Sequence, residues 1–308
     1  MSKINTSSHI QLPAKKERHR IFGSVEPGPK TKPQTKESMV DIQNTKEDFL
    51  FEIDAVGVGN VKYPIVVHSD IEPYVQTSIG TFSLTSRLDR MKKGTNMSRF
   101  MEQLETSSND GLDMSFPSLL KFAKDLQKRL NQDEVTVDVQ FPWFYQRRGP
   151  FEAKSGMNHS NVGLKVTYHV DGTAQFSGSL STYVTTLCPC SKEISEYSAH
   201  SQRGLVTIET TFTDEILNLE FDWKKSLLDA AESNASAVIY PVLKRPDEKT
   251  VTEAAYENPR FVEDLVRLVA ADVYEMPFVK KFKITCKNEE SIHLHDAIAT
   301  IEYEKEAE

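Results

Sequence analysis

Two cysteines and a histidine form the segment of this sequence whose chemistry is most evident. Cys188 and Cys190 lie one residue apart within residues 186–195, and His200 follows twelve residues after Cys188. A thiolate and an imidazole at this separation can be two ligands of one divalent metal, with a third ligand from elsewhere and one position open to water. Cys188 could instead be a nucleophile or a buried structural cysteine, and the residues alone leave these alternatives open.

The other possible uses of the cysteines are less consistent with their number and spacing. A disulfide between Cys188 and Cys190 would be strained, and a zinc ribbon would need a second cysteine pair, whereas Cys286 stands alone. Three cysteines in 308 residues do not make a disulfide framework. Reduced thiols and a cytoplasmic location are therefore predicted.

Carboxylates and histidines that could complete a site lie in three later segments. Glu248 could supply a carboxylate ligand, although the dense charge of residues 240–253 is also typical of a solvated loop. Glu263 lies in a predicted helix, where a solvated surface position is the simpler interpretation. Glu290 and His293 can act as a proton-transfer pair, because histidine titrates near neutral pH, but each could also be a surface residue.

A group of cations and hydroxyls near residues 87–100 suits phosphate oxygens. Lys92 and Lys93 precede a predicted helix, and Ser98 and Arg99 lie in its first turn. The spacing is not that of a Walker A loop, and the sequence also lacks a dinucleotide-binding glycine fingerprint, a nucleophile elbow and a zinc-binding H-E-x-x-H helix.

The elements that must position these residues occur in a repeated order. Alternating or β-branched segments predict strands at 50–56, 65–67, 75–84, 135–141, 163–170, 174–186, 204–213, 278–286 and 297–303. Helical periodicity predicts helices at 97–104, 116–130, 217–235 and 261–273. Strands, two helices and strands thus occur twice, which predicts an α+β fold with an antiparallel sheet and helices on one face.

Composition bounds the remaining possibilities. The chain has 37 Lys and Arg against 45 Asp and Glu, an acidic balance that argues against a dedicated nucleic-acid binder. No apolar run approaches the roughly 20 residues of a membrane span, so no membrane association is predicted.

Residues 1–44 are rich in proline and basic residues and predict a flexible polar tail. Residues 45–187 and 188–308 are predicted to be the two halves of the fold.

Together these segments resemble GTP cyclohydrolase I of type IB, from about residue 45 to the C-terminus. The resemblance is carried by Cys-Pro-Cys-Ser-Lys-Glu-Ile-Ser at 188–195 with His200, by residues 243–249 and 251–253, by Asn-Pro-x-Phe-Val-Glu-Asp at 258–264, by Glu-Ser-Ile-His at 290–293, and by Lys-Gly-Thr-Asn-Met-Ser-Arg-Phe at 93–100. Asn96 departs from the histidine of many members and is given no role.

The resemblance implies a tunnelling fold of tandem ββααββ halves whose sheets join across subunits. It implies a homotetramer with active sites at subunit interfaces. It also implies conversion of GTP and water to 7,8-dihydroneopterin triphosphate and formate, the first step of tetrahydrofolate and pterin biosynthesis. One divalent metal per site is expected, namely zinc, manganese or iron.

The resemblance also assigns roles to individual residues. Cys188, His200 and Glu248 would be the metal ligands, Cys188 and His200 being catalytic as well. Glu263 would accept two hydrogen bonds from guanine, and Glu290 and His293 would be the catalytic proton-transfer pair. The candidates for triphosphate binding are chosen by chemistry: Lys92, Lys93, Ser98 and Arg99.

Two alternatives remain open at this point. A tunnelling-fold nitrile reductase acting on a purine analogue would use Cys188 as a nucleophile and would need no metal or carboxylate ligand. An inactive metal-binding structural protein would bind metal without turning over GTP. Glu248 together with Glu290 and His293 favours the metal-dependent hydrolase over both.

Overall fold

A single antiparallel sheet organises the part of the chain that the structure, a computed structural model, describes: residues 11–23, 33, 35–39, 41–109, 111–151 and 154–306. Its eight strands lie in sequence order. The strands are β1 (Ile53–His68), β2 (Val75–Leu88), β3 (Glu134–Arg148), β4 (Ser155–His169), β5 (Ala174–Leu187), β6 (Ser201–Phe212), β7 (Val279–Asn288) and β8 (Ala297–Glu304). Every pair of neighbouring strands is antiparallel, so the predicted α+β class is confirmed.

Seven α-helices connect or precede these strands in the described residues. They are α1 (Lys15–Phe22), α2 (Met97–Ser108), α3 (Phe116–Leu130), α4 (Pro189–Ile194), α5 (Trp223–Ser233), α6 (Arg245–Glu257) and α7 (Val262–Glu275). None of the helices in the described ranges is long and apolar enough to cross a membrane.

One core joins the two repeats. In β3 the alternating residues Val135, Val137 and Val139 are fully buried, as their spacing predicts for one covered sheet face. The ring of Phe116, at the start of α3, lies 5.4 Å from that of Phe212 in β6 and 5.8 Å from that of Trp223 in α5. The aromatic contact between elements of both repeats makes them one packed body.

The boundary between the repeats differs from the predicted one. Two strands, two helices and two strands run from β1 to β4, and the second repeat begins at β5, so the division is the turn at residues 170–173. The sequence prediction placed it between residues 187 and 188, within the β5–β6 pair. The reason is that β5 pairs with β4 on one side and with β6 on the other. In a continuous sheet, strand pairing therefore does not mark where one repeat ends and the next begins.

Several predicted elements also differ in extent. The predicted strands 50–56 and 65–67 belong largely to one strand, β1, which has a register shift between Val58 and Val61. The predicted helix 217–235 is a 3₁₀ turn, Asp214–Asn218, followed by α5. The charged segment 240–253, where no helix was predicted, overlaps α6, which has proline in its first turn and a Lys249–Glu253 ion pair of 3.3 Å along its surface.

The predicted tail contains ordered structure where it is described. Its residues 1–10, 24–32, 34 and 40 lie outside the described residues, but α1 forms within it. The ring of Phe22 lies 6.4 Å from that of Phe51, and Lys93 Nζ donates to the carbonyl of Gly23 at 3.4 Å. A short apolar contact therefore holds a helix that composition did not predict.

Candidate functional site

A loop between the internal strands β5 and β6 holds Cys188 and His200 at one end of the strands. Cys188 follows the last residue of β5 and is the N-cap of α4, while His200 precedes β6. The backbone amide of Cys188 donates to the carbonyl of His200 at 3.1 Å. The hydroxyl of Ser191 donates to the carbonyl of Cys188 and accepts from the amide of His200, at 3.1 and 3.2 Å. The loop thus closes on itself and sets both side chains at the same place.

A cavity of about 300 Å³ lies at this end of the strands. It is lined by Cys188, His200, Gln202, Arg260, Phe261, Val262, Glu263, Asn288, Glu290, His293, His295 and Ala297. Five of the site residues predicted from the sequence therefore share one cavity, although they come from three separate segments of the chain. The volume is at the lower end of the range for small-molecule sites, roughly 300–1,000 Å³.

The orientation of His200 is set by a residue that the sequence analysis missed. Gln202 Nε2 donates to Thr186 Oγ1 at 3.1 Å, which leaves Gln202 Oε1 to accept from His200 Nδ1 at 2.9 Å. With Nδ1 protonated, Nε2 of the neutral ring carries the lone pair that a metal or a proton would take. The available signal was the spacing, because residues 200 and 202 lie on the same side of an extended chain.

The segment after β7 brings Glu290 and two histidines to the same cavity. Glu290 Oε2 lies 3.8 Å from His200 Nδ1, and the two side chains are 13% and 16% exposed. The backbone amide of Glu289 donates to the carbonyl of Arg203 at 2.9 Å and ties this segment to β6. The rings of His293 and His295 stack with centroids 4.8 Å apart. A carboxylate and imidazoles are therefore available for proton transfer around one space.

Another part of the cavity wall is the segment that leads into α7. Glu263 lies in the first turn of this helix and lines the cavity. The backbone amide of Arg260 donates to the carbonyl of Leu187, at 3.0 Å, immediately before Cys188. This bond holds the start of α7 beside the Cys188 loop, so a ligand anchored at Glu263 would reach the Cys188–His200 pair.

Glu248 is not part of this cavity. It is an exposed residue in the first turn of α6, next to the fully buried Asp247, whose carboxylate accepts from the amides of Phe151 and Lys244 at 2.7 and 3.1 Å. In the described ranges, no group of three or more histidine, cysteine, aspartate or glutamate side chains is arranged to hold a metal ion. A single chain therefore brings together two of the three predicted ligands.

The cations predicted to bind phosphate lie away from the cavity of their own chain. Lys92 and Lys93 follow β2 at the opposite end of the strands, and Lys92 Nζ donates to Gln132 Oε1 at 3.2 Å. Arg99 Nη1 donates to the carbonyl of Arg129 at 3.3 Å, and Ser98 lies beside it in α2. None of these four residues lines the cavity that contains Cys188.

The three cysteines differ in their surroundings. Cys188 lines the cavity and its sulfur accepts from the amide of Ser191 at 3.5 Å, whereas Cys190 is exposed. Cys286 is fully buried in β7, and burial raises the pKa of its thiol to about 12. A thiol that stays protonated at neutral pH is neither a nucleophile nor a metal ligand, so Cys286 is a core residue.

A solved structure supports the fold. The uricase of Arthrobacter globiformis superposes with a TM-score of 0.52 at 10% sequence identity, over 84% of this chain and 96% of the uricase chain. At that identity the likeness concerns the fold alone, which is the predicted tunnelling fold.

Sequence comparisons identify the family. The model of the type I GTP cyclohydrolase folE2 family matches residues 39–299. The chain is 59% identical to the GTP cyclohydrolase FolE2 of Oceanobacillus iheyensis, over 97% of this chain and 99% of that protein. It is 50% identical to the FolE2 of Bacillus subtilis strain 168, over 98% and 99% of the two chains. With a family match over most of its length and relatives this similar from end to end, the chain belongs to the type I GTP cyclohydrolase FolE2 family.

Proposed function

We propose that this protein is a GTP cyclohydrolase that converts GTP and water to 7,8-dihydroneopterin triphosphate and formate, the entry to tetrahydrofolate biosynthesis. The observation that carries the proposal is the single cavity that collects Cys188, His200, Glu263, Glu290 and His293. Family membership supports the same reaction, because the full-length relatives are named GTP cyclohydrolases.

Glu263 is proposed to select and orient the base. Guanine presents two adjacent donors, the N1 hydrogen and the 2-amino group, and one carboxylate can accept both. Glu263 makes no hydrogen bond or ion pair with any other described residue, so both of its oxygens are available to a ligand. With the base held there, C8 of the purine would lie toward the Cys188 loop at the other side of the cavity.

Cys188 and His200 are proposed to hold a divalent metal, zinc, manganese or iron, together with Glu248. The thiol and the imidazole fit this role because both line the cavity and because Gln202 leaves Nε2 of His200 free. A bound metal would lower the pKa of a water and so supply a nucleophile for C8 at neutral pH. Glu248 lies outside the cavity of its own chain, so the third ligand rests on the family resemblance.

Glu290 and His293 are proposed to move the protons of the reaction. Opening the imidazole ring requires a proton to leave the attacking water and another to reach a ring nitrogen as its bond to C8 breaks. The Glu290 side chain is largely buried beside His200, and the more exposed His293, three residues later, lines the same cavity. Because both side chains line the same cavity as Cys188 and His200, they can exchange protons with a substrate bound there.

A homo-oligomer, in the form of a homotetramer, is proposed to complete the site. Large apolar side chains on the two loops around the cavity face solvent, with exposures of 83% for Ile194, 94% for Tyr197, 63% for Ile292 and 109% for Leu294. Such an exposed apolar group favours a protein interface. Another subunit there could bring Lys92, Lys93, Ser98 and Arg99 to the triphosphate. Location in the cytoplasm stays a prediction from cysteine content.

The test is an anaerobic reconstitution of the purified protein with zinc, manganese or iron. Formate release and the fluorescence of the oxidised pterin would be followed after GTP is added, with chelator-treated protein as the control. The proposal expects metal-dependent formation of both products. Metal-free protein that still forms a covalent adduct with a purine nitrile would instead support the reductase, and bound metal without GTP turnover would support a structural protein.

A further inference from the structure

One cation in the cavity wall has no role in the functions considered so far. Arg260 is the only lysine or arginine among the described residues that line the cavity. It lies in the segment between α6 and α7, three residues before Glu263, and is partly buried. A permanent charge at the wall of a substrate site calls for a partner, because burying an unpaired guanidinium is costly.

Three hydrogen bonds fix the position of Arg260. Its backbone amide donates to the carbonyl of Leu187 at 3.0 Å, its Nε to that of Asn234 at 3.2 Å, and its Nη1 to that of Pro259 at 2.9 Å. A guanidinium has five N–H donors, so two are used by neighbouring carbonyls and three are left. Arg260 makes no ion pair with any carboxylate of the described residues.

The order of residues along the wall indicates which part of a substrate these donors would meet. Arg260 lines the cavity together with Glu263, which follows it three residues later, and its backbone is bonded to Leu187, the residue before Cys188. If Glu263 holds N1 and the 2-amino group, and C8 faces Cys188, the purine atoms between them on one side are O6 and N7. On the other side they are N3 and N9, and N9 carries the ribose.

We infer that Arg260 is a further substrate-binding residue that donates to O6 of guanine. An arginine donor matches a carbonyl oxygen, and contact of arginine with O6 of guanine is a common mode of recognition. N7 is the less suitable acceptor here, because it must take up a proton when the ring opens. The N3–N9 side offers one weak acceptor and is occupied by the sugar. This inference rests on the proposed role of Glu263 in binding the base.

The test is a thermodynamic cycle between one side chain and one ligand atom. Dissociation constants of GTP and of 6-thioguanosine triphosphate would be measured for the wild type and for Arg260→Met, both metal-loaded, by rapid binding before turnover. In 6-thioguanosine triphosphate sulfur replaces O6, while N1, the 2-amino group and the triphosphate are unchanged. Arg267→Met is the matched control, since Arg267 lies in α7 with 70% of its side chain exposed and outside the cavity.

The expected result is a loss of GTP affinity of about tenfold or more in Arg260→Met, with a loss of less than about twofold for the thio analogue. Arg267→Met should bind both nucleotides like the wild type. Equal losses for both nucleotides would overturn the inference, because they would assign Arg260 to the triphosphate or to the fold. Unchanged GTP affinity would overturn it too. Formate release by the wild type in the same preparation separates either outcome from failure of the proposed function.

Discussion

Replacing Glu263 by glutamine tests the base-binding role most directly. Glu263 makes no hydrogen bond or ion pair in the described part of the chain, so the variant removes no contact within the protein. What the fold loses is the favourable effect of a carboxylate in the first turn of α7, about 0.3–1 kcal/mol. GTP binding loses a charge-assisted contact of about 1.5–3 kcal/mol. Binding is weakened further because the amide N–H of glutamine would face an N–H donor of guanine. Because 1.4 kcal/mol is a factor of ten, GTP affinity should fall by more than about tenfold.

The next residue of the same helix turn provides the control. Asp264 is also an acid in the first turn of α7, but it lies outside the cavity, and its Oδ1 is 3.8 Å from Nη1 of the exposed Arg267. Such an exposed pair contributes about 0–1 kcal/mol. Asp264→Asn should therefore lose as little stability as Glu263→Gln while keeping wild-type affinity for GTP.

The assay is equilibrium binding of GTP and inosine triphosphate to both variants, with metal content and thermal unfolding measured alongside. Inosine triphosphate lacks the 2-amino group, so it should bind the wild type weakly and suffer less from Glu263→Gln. Normal metal content in both variants is expected. If Glu263→Gln bound GTP as tightly as the wild type does, another residue would anchor the base and the proposed orientation of the purine would be wrong.

Three further predictions concern the cysteines and the buried ion pair. Cys188→Ala should lose bound metal and turnover while remaining folded. Cys190 is exposed and lies outside the cavity, so Cys190→Ala should keep part of its activity. A larger loss in Cys190→Ala than in Cys188→Ala would contradict the ligand assignment. Glu232→Gln should lower the free energy of unfolding, measured by urea titration, by about 3–5 kcal/mol, because it leaves the largely buried Arg147 without its ion-pair partner. A loss under about 1 kcal/mol would show that the ion pair contributes little to stability. Metal-free native protein should react with a thiol reagent at two cysteines. Cys286 should react only on denaturation, since burial raises the pKa of its thiol to about 12. Fast reaction of a third thiol in the native protein would contradict the burial of Cys286.

Much of the fold could be predicted from the sequence because the sheet is local in chain order. Each strand pairs with the next one along the chain, and alternation such as that of Val135, Val137 and Val139 marks the covered face directly. The helix that begins within residues 240–253 was not predicted. Apart from the buried Asp247, the charged side chains of this segment are exposed, and a solvated helix and a solvated loop have the same composition, so periodicity offered little to separate them.

The chemistry of the site was also evident from residue types, but its assembly was not. Cys188, His200, Glu263, Glu290 and His293 could be named from motifs spread over a hundred residues, and the structure alone decided that they line one cavity. The reason is that antiparallel strands return the chain to the same end of the sheet's strands at every second connection, and no local pattern encodes which loops meet there. Gln202 and Arg260 illustrate the same limit. Their types are ordinary, and only the hydrogen bond to His200 and the bond to Leu187 give them a place in the site.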